Sequence, residues 1–207
     1  KLPPFIATMG TMYAARGLCT GYTKGVSVYP LPDQFLGIGQ AGIPIGNYEL
    51  PFVIVVAILM AIAAGFILRY TAYGRKLYAA GGNGEAARLA GIPTVRVRFS
   101  AFVLLGVLSA LAGVLMTSRV GSAQPNIGSG FEMTVVAACV IGGISMEGGA
   151  GSILGVVMGS FFMAMISNGM TLIKIDAYWQ QLVIGLVLIF ACSLEYLRNR
   201  IRASLNR

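Results

Sequence analysis

Leu50–Leu68, LPFVIVVAILMAIAAGFIL, carries no charged side chain and ends at Arg69. The hydrocarbon core of a bilayer is about 30 Å thick and takes roughly 20 apolar residues as a helix. The stretch therefore reads as a membrane span. Phe99–Thr117, closed by Arg119, reads the same way, and so do Gly151–Leu172 and Tyr178–Leu194, the last stopping at Glu195. Two further segments are shorter. Pro3–Ala15 ends at Arg16, while Phe131–Met146 is interrupted by Gly142-Gly143 and bears Glu132 near its start. Neither makes a comfortable straight span. Half-helices or broken helices are expected there, since irregular backbone survives at membrane depth where protein or a water-filled cavity covers it. The expected fold is an all-α, polytopic membrane protein with about six membrane segments, two of them short or broken.

The bulk composition agrees. Of 207 residues, 57% are hydrophobic and 11% charged, against about 25% charged in an average soluble domain. A soluble globule of this size needs more charge to cover its surface, and a disordered chain needs less apolar content. With no histidine, a Ser-His-Asp triad, a Cys-His dyad and a histidine metal site are excluded. Cys19, Cys139 and Cys192 are odd in number and far apart, so they read as buried small hydrophobes rather than a disulfide or zinc framework. No span carries paired carboxylates. No catalytic residue, metal or cofactor is expected.

The net charge of +8 is a matter of position. Between the first two long spans stand Arg69, Arg75, Lys76, Arg88, Arg96 and Arg98 against Glu85, and after the last come Arg198, Arg200, Arg202 and Arg207. Cytoplasmic loops collect Lys and Arg, so both stretches, and with them the C-terminus, are expected in the cytoplasm. No nucleic-acid partner is implied; lipid headgroups suit the basic flanks. Alternation puts Gly21–Glu49, Gly121–Gly130 and Lys174–Ala177 outside and Glu147–Ala150 inside. Tyr178, Trp179 and Gln180 then open the last span at the outer interface, where Tyr and Trp anchor.

Helices in lipid associate through small residues four apart. Gly151, Gly155 and Gly159 are expected to form such a row, with Ser109–Gly113 and Ala61–Gly65 as weaker versions. Asn168, inside the same span as the row, either bonds a neighbouring helix or faces a polar path.

The loop 69–98 is the informative part. Gly74–Pro93 reads GRKLYAAGGNGEAARLAGIP. Gly81 and Gly82 should break the helix around Arg75–Ala80, after which Asn83 can serve as an N-cap and Glu85 suits the positive end of a helix dipole. A short helix Gly84–Ala90 follows. Gly91 stands where a left-handed C′ residue is needed, Ile92 where its hydrophobic contact follows, and Pro93 prevents continuation. Ala86, Leu89 and Ala90 give this helix a small apolar face beside Arg88. So short a helix is marginal alone and needs something to hold it, either lipid headgroups or a groove on a cytoplasmic partner. The glycines fit neither nucleotide-loop pattern, no strand precedes them, and the chain contains no Walker A sequence.

YGRKLYAAGGNGEAARLAGI at Tyr73–Ile92 resembles the cytoplasmic loop of the sugar permeases of ribose-type ABC importers, where GGN-x-EAARLSGI recurs. FIATMGTMYAARGL (Phe5–Leu18) with YTKG (Tyr22–Gly25) resembles the family's FIxTLGTMxxxRGL…YTxG. SAQPNIGSGFEM (Ser122–Met133) and VIGGISMEGGAGSILGVVMG (Val140–Gly159) resemble its SAQPxxGxGxE…VxGGTSLxGGxGxxxGxxxG, and SNGM (Ser167–Met170) with YWQQLVIG (Tyr178–Gly185) its NGLNLL…YWQ region. The match runs through nearly the whole chain in order. Branched-chain amino acid permeases share parts of it but fit the loop and SAQP region less well. Ala90 replaces a common serine, and Ile144-Ser145-Met146 replaces Thr-Ser-Leu. Family members carry further spans before the FIxTLGTM segment, and this chain opens on Lys1. Residues 1–207 are accordingly expected to be a single transmembrane permease domain, the C-terminal portion of a permease of the type II ABC importer kind.

The resemblance implies the transmembrane subunit of an ATP-driven importer of a monosaccharide, a ribose-like pentose or a hexose, in the bacterial inner membrane. Its partners would be an ABC ATP-binding subunit, a periplasmic or lipid-anchored sugar-binding protein and a second permease copy, the same or different. The ATPase would dock on Asn83, Glu85, Ala86, Arg88, Leu89 and Gly91. Gln124, Pro125, Glu132, Gly142, Gly143 and Asn168 are the candidate translocation path, because a broken helix aimed at the midplane marks a transporter's site. Glu132 either bonds sugar hydroxyls, favours its helix dipole or holds a neighbouring loop. The alternatives are a related permease for branched-chain amino acids or nucleosides and a non-transport membrane scaffold. Neighbouring reading frames for a Walker-type ATPase and a secreted binding protein would discriminate.

Overall fold

The computed structural model describes residues 4–45 and 48–205. The ends of the expected stretches at Pro3 and Arg207 lie outside the described residues. The chain orders as α1 (Pro4–Thr23), α2 (Asp33–Gln40), β1 (Gly42–Ile45), β2 (Tyr48–Pro51), α3 (Phe52–Tyr70), α4 (Ala72–Gly82), α5 (Gly84–Leu89), α6 (Thr94–Val120), α7 (Phe131–Ile141), α8 (Ile153–Leu172) and α9 (Ala177–Leu205). Helix dominates, as expected. α3, α6 and α8 are long and apolar enough to cross a membrane, while α7 and Tyr178–Ser193 of α9 are shorter apolar helices.

Several boundaries differ from the expectation, each for a local reason. α1 does not stop at Ala15. One arginine ends a hydrophobic window without interrupting backbone hydrogen bonding, so the helix runs through Arg16 until Lys24 and Gly25 take φ of 52° and 75°. The span expected from Leu50 begins at Phe52, because Leu50 and Pro51 belong to β2, paired antiparallel with β1 so that Gly42 faces Pro51. The span expected at Phe99–Thr117 is lengthened at both ends into α6, which takes in Arg96, Arg98 and Arg119. The span expected from Gly151 begins at Ile153, because the Ser152 side chain accepts from the Gly155 amide and caps α8.

Contacts divide the chain into two units, Lys1–Ala57 with Gly106–Ser129, and Ile58–Leu105 with Gly130–Arg207. In the first, α2 rests on the last turns of α6 through Ser118, which is fully buried. Its hydroxyl accepts from the Gly39 amide at 2.7 Å and donates to the Phe35 carbonyl at 2.5 Å. A bridge between Val28 and Ala123 ties the segment after α1 to the segment after α6, which places these two expected outer segments on one side. Gly113 faces open space, so the weaker packing site expected at Ser109–Gly113 does not close on a neighbour.

In the second unit α7 packs against both α8 and α9. Ala137, Ala138 and Met163 form the buried centre, lined by Ile141, Ile166, Ile184, Val187 and Leu188. Eleven helical residues rise only about 16 Å, so α7 reaches roughly half-way through a bilayer core. Its end is set by Gly142 and Gly143. Gly143, at φ 80°, donates to the Val140 carbonyl, and Ile144 donates to the Cys139 carbonyl, a Schellman closure. The paired glycines thus terminate the helix; they do not merely interrupt it.

Candidate functional site

The loop between α3 and α6 is built of two helices. Thr71 accepts from the Gly74 amide and starts α4 immediately after α3. The turn is so tight that a Cβ on Gly74 would meet the Leu68 backbone, 2.6 Å from its Cα. Gly81 and Gly82 are the last residues of α4 and do not break it, because the chain stays helical until Asn83 turns extended. The Asn83 side chain accepts from the amides of Glu85 and Ala86 at 3.1 and 2.9 Å, capping α5 as its position predicts.

The far end of α5 closes as the glycine predicts. Helix α5 ends at Leu89 with Ala90 as its cap. Gly91, at φ 79°, donates to Arg88 and Ile92 donates to Ala87, both at 3.0 Å. Two caps on so short a helix satisfy most of the amides and carbonyls its ends leave open. Ala87 is the residue that α5 buries, at 5% exposure. Ala86, Leu89 and Ala90, the small apolar face, are all exposed, Leu89 at 82%, together with Asn83, Glu85, Arg88 and Gly91. The helix turns Ala87 inward and offers the expected docking residues to whatever lies outside the chain.

Three hydrogen bonds hold α4 in place. The Tyr73 hydroxyl pairs with Ser100 Oγ at 2.8 Å, and Arg98 Nη2 donates to the Ala80 carbonyl at 3.4 Å, both joining α4 to the start of α6. The Tyr78 hydroxyl donates to the Gly151 carbonyl at 2.9 Å. Arg98 also covers the first residue of α5, where a Cβ on Gly84 would lie 2.7 Å from its Nη2. This arginine, which the sequence offers as topology charge, is a brace. A cavity of about 700 Å³ opens beside it, lined among others by Tyr78, Phe102, Ile144, Glu147 and Ile153.

The end of α4 meets the loop after α7 backbone to backbone. A Cβ on Gly81 would stand 2.8 Å from the Gly149 amide nitrogen, and one on Gly149 2.6 Å from that of Gly82. Glu147–Ala150 therefore lies on the same side as the loop 69–98, the parity expected from alternation.

Of the expected glycine row, Gly155 and Gly159 lie close against the end of α7. Cβ atoms there would run into the carbonyls of Gly142 and Ala138, and one on Gly142 would stand 2.6 Å from the Gly155 carbonyl carbon. Gly151 is not part of that row, since it precedes the helix. The Ala61–Gly65 site makes only an ordinary contact, Gly65 with Ile153 at 3.9 Å.

The candidate path residues fall in different units. Gln124 and Pro125 stand in the first, where the Gln124 side chain donates to Ser122 at 3.2 Å. Glu132, Gly142, Gly143 and Asn168 belong to the second. Glu132 is exposed in the first turn of α7, following Gly130 at φ 81°, and Asn168 is exposed on α8. Gly142 and Gly143 are joined by the α7 closure. No cluster of three or more metal-binding side chains occurs among the described residues.

The family described as branched-chain amino acid transport system / permease component matches residues 1–192. The chain is 37% identical to the autoinducer 2 import system permease protein of Salmonella choleraesuis, covering all of this chain and 58% of that protein. It is 39% identical to the L-arabinose transport system permease protein of Escherichia coli, over 92% of this chain and 57% of that one. It is 32% identical to the xylose transport system permease protein of Escherichia coli, over 97% of this chain and 65% of that one. No solved structure matches. The chain thus spans somewhat over half the length of these curated relatives, and it belongs to the branched-chain amino acid transport system / permease component family.

Proposed function

We propose that this chain is the larger part of a transmembrane subunit of an ABC importer, which moves a monosaccharide across the bacterial inner membrane and is driven by a separate ATP-binding subunit. The observation that carries the coupling is α5. It is a helix capped at both ends and anchored by Ala87, with Glu85, Ala86, Arg88 and Leu89 exposed. A stiff element of this kind passes force from a docked motor. The basic residues flanking it support a cytoplasmic position, and those after the last span support the same side for the C-terminus.

A sugar is favoured as cargo over a branched-chain amino acid, although the family description names the latter, because the xylose and L-arabinose permeases align along almost the whole chain. A binding protein outside the membrane delivers the sugar, and a second permease copy completes the pore. The half-length α7, headed by Glu132 and closed by Gly142 and Gly143, fits the broken helix from which transporter sites are built.

The test uses cells expressing the full-length permease with its ATP-binding and sugar-binding partners, supplied with labelled xylose, arabinose and galactose. Uptake of at least one is expected, and Arg88→Glu should abolish it while the protein still reaches the membrane. Normal uptake in Arg88→Glu would overturn the docking role, and absence of sugar uptake in the wild type would overturn the importer reading.

A further inference from the structure

The loop after α7 meets the end of α4 closely at glycines. Gly148 and Gly149 take φ of 91° and 74°, and Cβ atoms added on Gly81 or Gly149 would stand 2.8 Å and 2.6 Å from main-chain nitrogens of the other segment. Beside this contact the Tyr78 hydroxyl donates to the Gly151 carbonyl, one residue before the Ser152 cap of α8. Beyond it, Gly142 at the end of α7 lies against Gly155 in the first turn of α8. Chain continuity at Asn83, the glycine contact, the Tyr78 bond and the Gly142–Gly155 approach thus link α5, through α4, to the joint between the half-helix α7 and the span α8.

We infer that the Gly81–Gly149 contact, pinned by Tyr78 on Gly151, is the positioning element that delivers displacement of α5 to the α7–α8 joint. The inference rests on the importer reading above and names a route within it. Side chains at a contact absorb small displacements by changing rotamer, whereas closely packed backbone does not yield and transmits the strain. Tyr73 and Arg98 hold α4 to the start of α6, the latter through Ala80, one residue before Gly81. A displacement of α5 therefore reaches the 147–151 loop through the glycine end of α4, and that loop leads directly into the α8 cap.

Two adjacent glycines make the test specific. Both lie in α4 without positive φ, so the backbone admits alanine at either position. A Cβ on Gly81 collides with the Gly149 amide, whereas one on Gly82 makes an ordinary 3.6 Å contact with the Gly149 Cα. The full-length permease, reconstituted in proteoliposomes with its ATP-binding and sugar-binding partners, is assayed for labelled xylose, arabinose and galactose uptake and for ATP hydrolysis. Gly81→Ala is expected to lower uptake per ATP hydrolysed about tenfold, within the range usual for a coupling free energy. Gly82→Ala should leave that ratio unchanged. Tyr78→Phe, which removes the bond to Gly151 without adding bulk, should lower the ratio in the same direction and decides the matter should Gly81→Ala fail to accumulate. Equal ratios for the two glycine variants, or a wild-type ratio in Tyr78→Phe, would overturn the route. A wild-type complex that hydrolyses ATP without moving any of the three sugars would instead overturn the importer reading.

Discussion

The Asn83 side-chain oxygen lies 2.9 Å from the Ala86 amide nitrogen and accepts its hydrogen bond, with the Glu85 amide as a second donor at 3.1 Å. α5 is too short to persist without tertiary support, so this cap and the Gly91 closure fix its shape. Asn83→Ala should cost about 1 kcal/mol, as N-cap removal does, and should speed amide exchange at Glu85 and Ala86. Asn83→Asp keeps an acceptor at that place and should exchange at nearly the wild-type rate. Sugar uptake is expected to fall in the alanine variant and persist in the aspartate one.

Gly159 and Gly169 stand on the same helix with opposite surroundings. A Cβ on Gly159 would enter the Ala138 carbonyl and lie 2.9 Å from the Gly142 nitrogen, while Gly169 has nothing within 4 Å. Gly159→Ala should push α7 off α8 and lower the melting temperature in detergent by several degrees, since overpacking costs about 1–3 kcal/mol. Gly169→Ala should melt at or above the wild-type temperature, because alanine favours helix. Equal melting of the two variants would remove the close α7–α8 approach.

Ser118→Ala should leave the Gly39 amide and Phe35 carbonyl without the hydroxyl that now serves both. Each hydrogen bond lost contributes about 0.5–1.5 kcal/mol. The expected signs are a lower melting temperature and faster proteolysis between α1 and α3, with uptake per folded molecule unchanged.

Glu132→Gln separates path from scaffold. The carboxylate is exposed in the first turn of α7, where its dipole contribution is small. We expect the protein level to stay at wild type and uptake to fall several-fold. Parallel losses in level and uptake would make Glu132 structural.

How far the sequence reaches differs from place to place. The caps of α5 were legible because Asn83, Gly91 and Ile92 act within a few residues of one another, and such local chemistry is written in order along the chain. The ends of the spans were less so. A run of apolar residues reports what lipid tolerates, whereas helix ends follow backbone conformation, so α1 passes Arg16 and α8 waits for Ser152. The end of α8 shows the same limit. Lys174 takes φ 58° in the left-handed position and Ile175 donates back to Met170, a closure no glycine announces.

The candidate site divides along the same line. That α5 exists, is capped and sits among basic residues follows from the sequence, because hydropathy, charge and capping are properties of short segments. That Ala87 is the residue α5 turns inward did not follow, because what covers it is decided only by the tertiary structure. The glycines divide likewise. Composition makes them numerous, yet Gly81 against Gly149 and Gly142 against Gly155 are meetings of backbones far apart in sequence, while Gly113 and Gly169 meet nothing. The sequence determined that the chain lives in a membrane and carries a capped handle. The tertiary structure decided what that handle leans on, because close approach depends on where two distant segments come to lie.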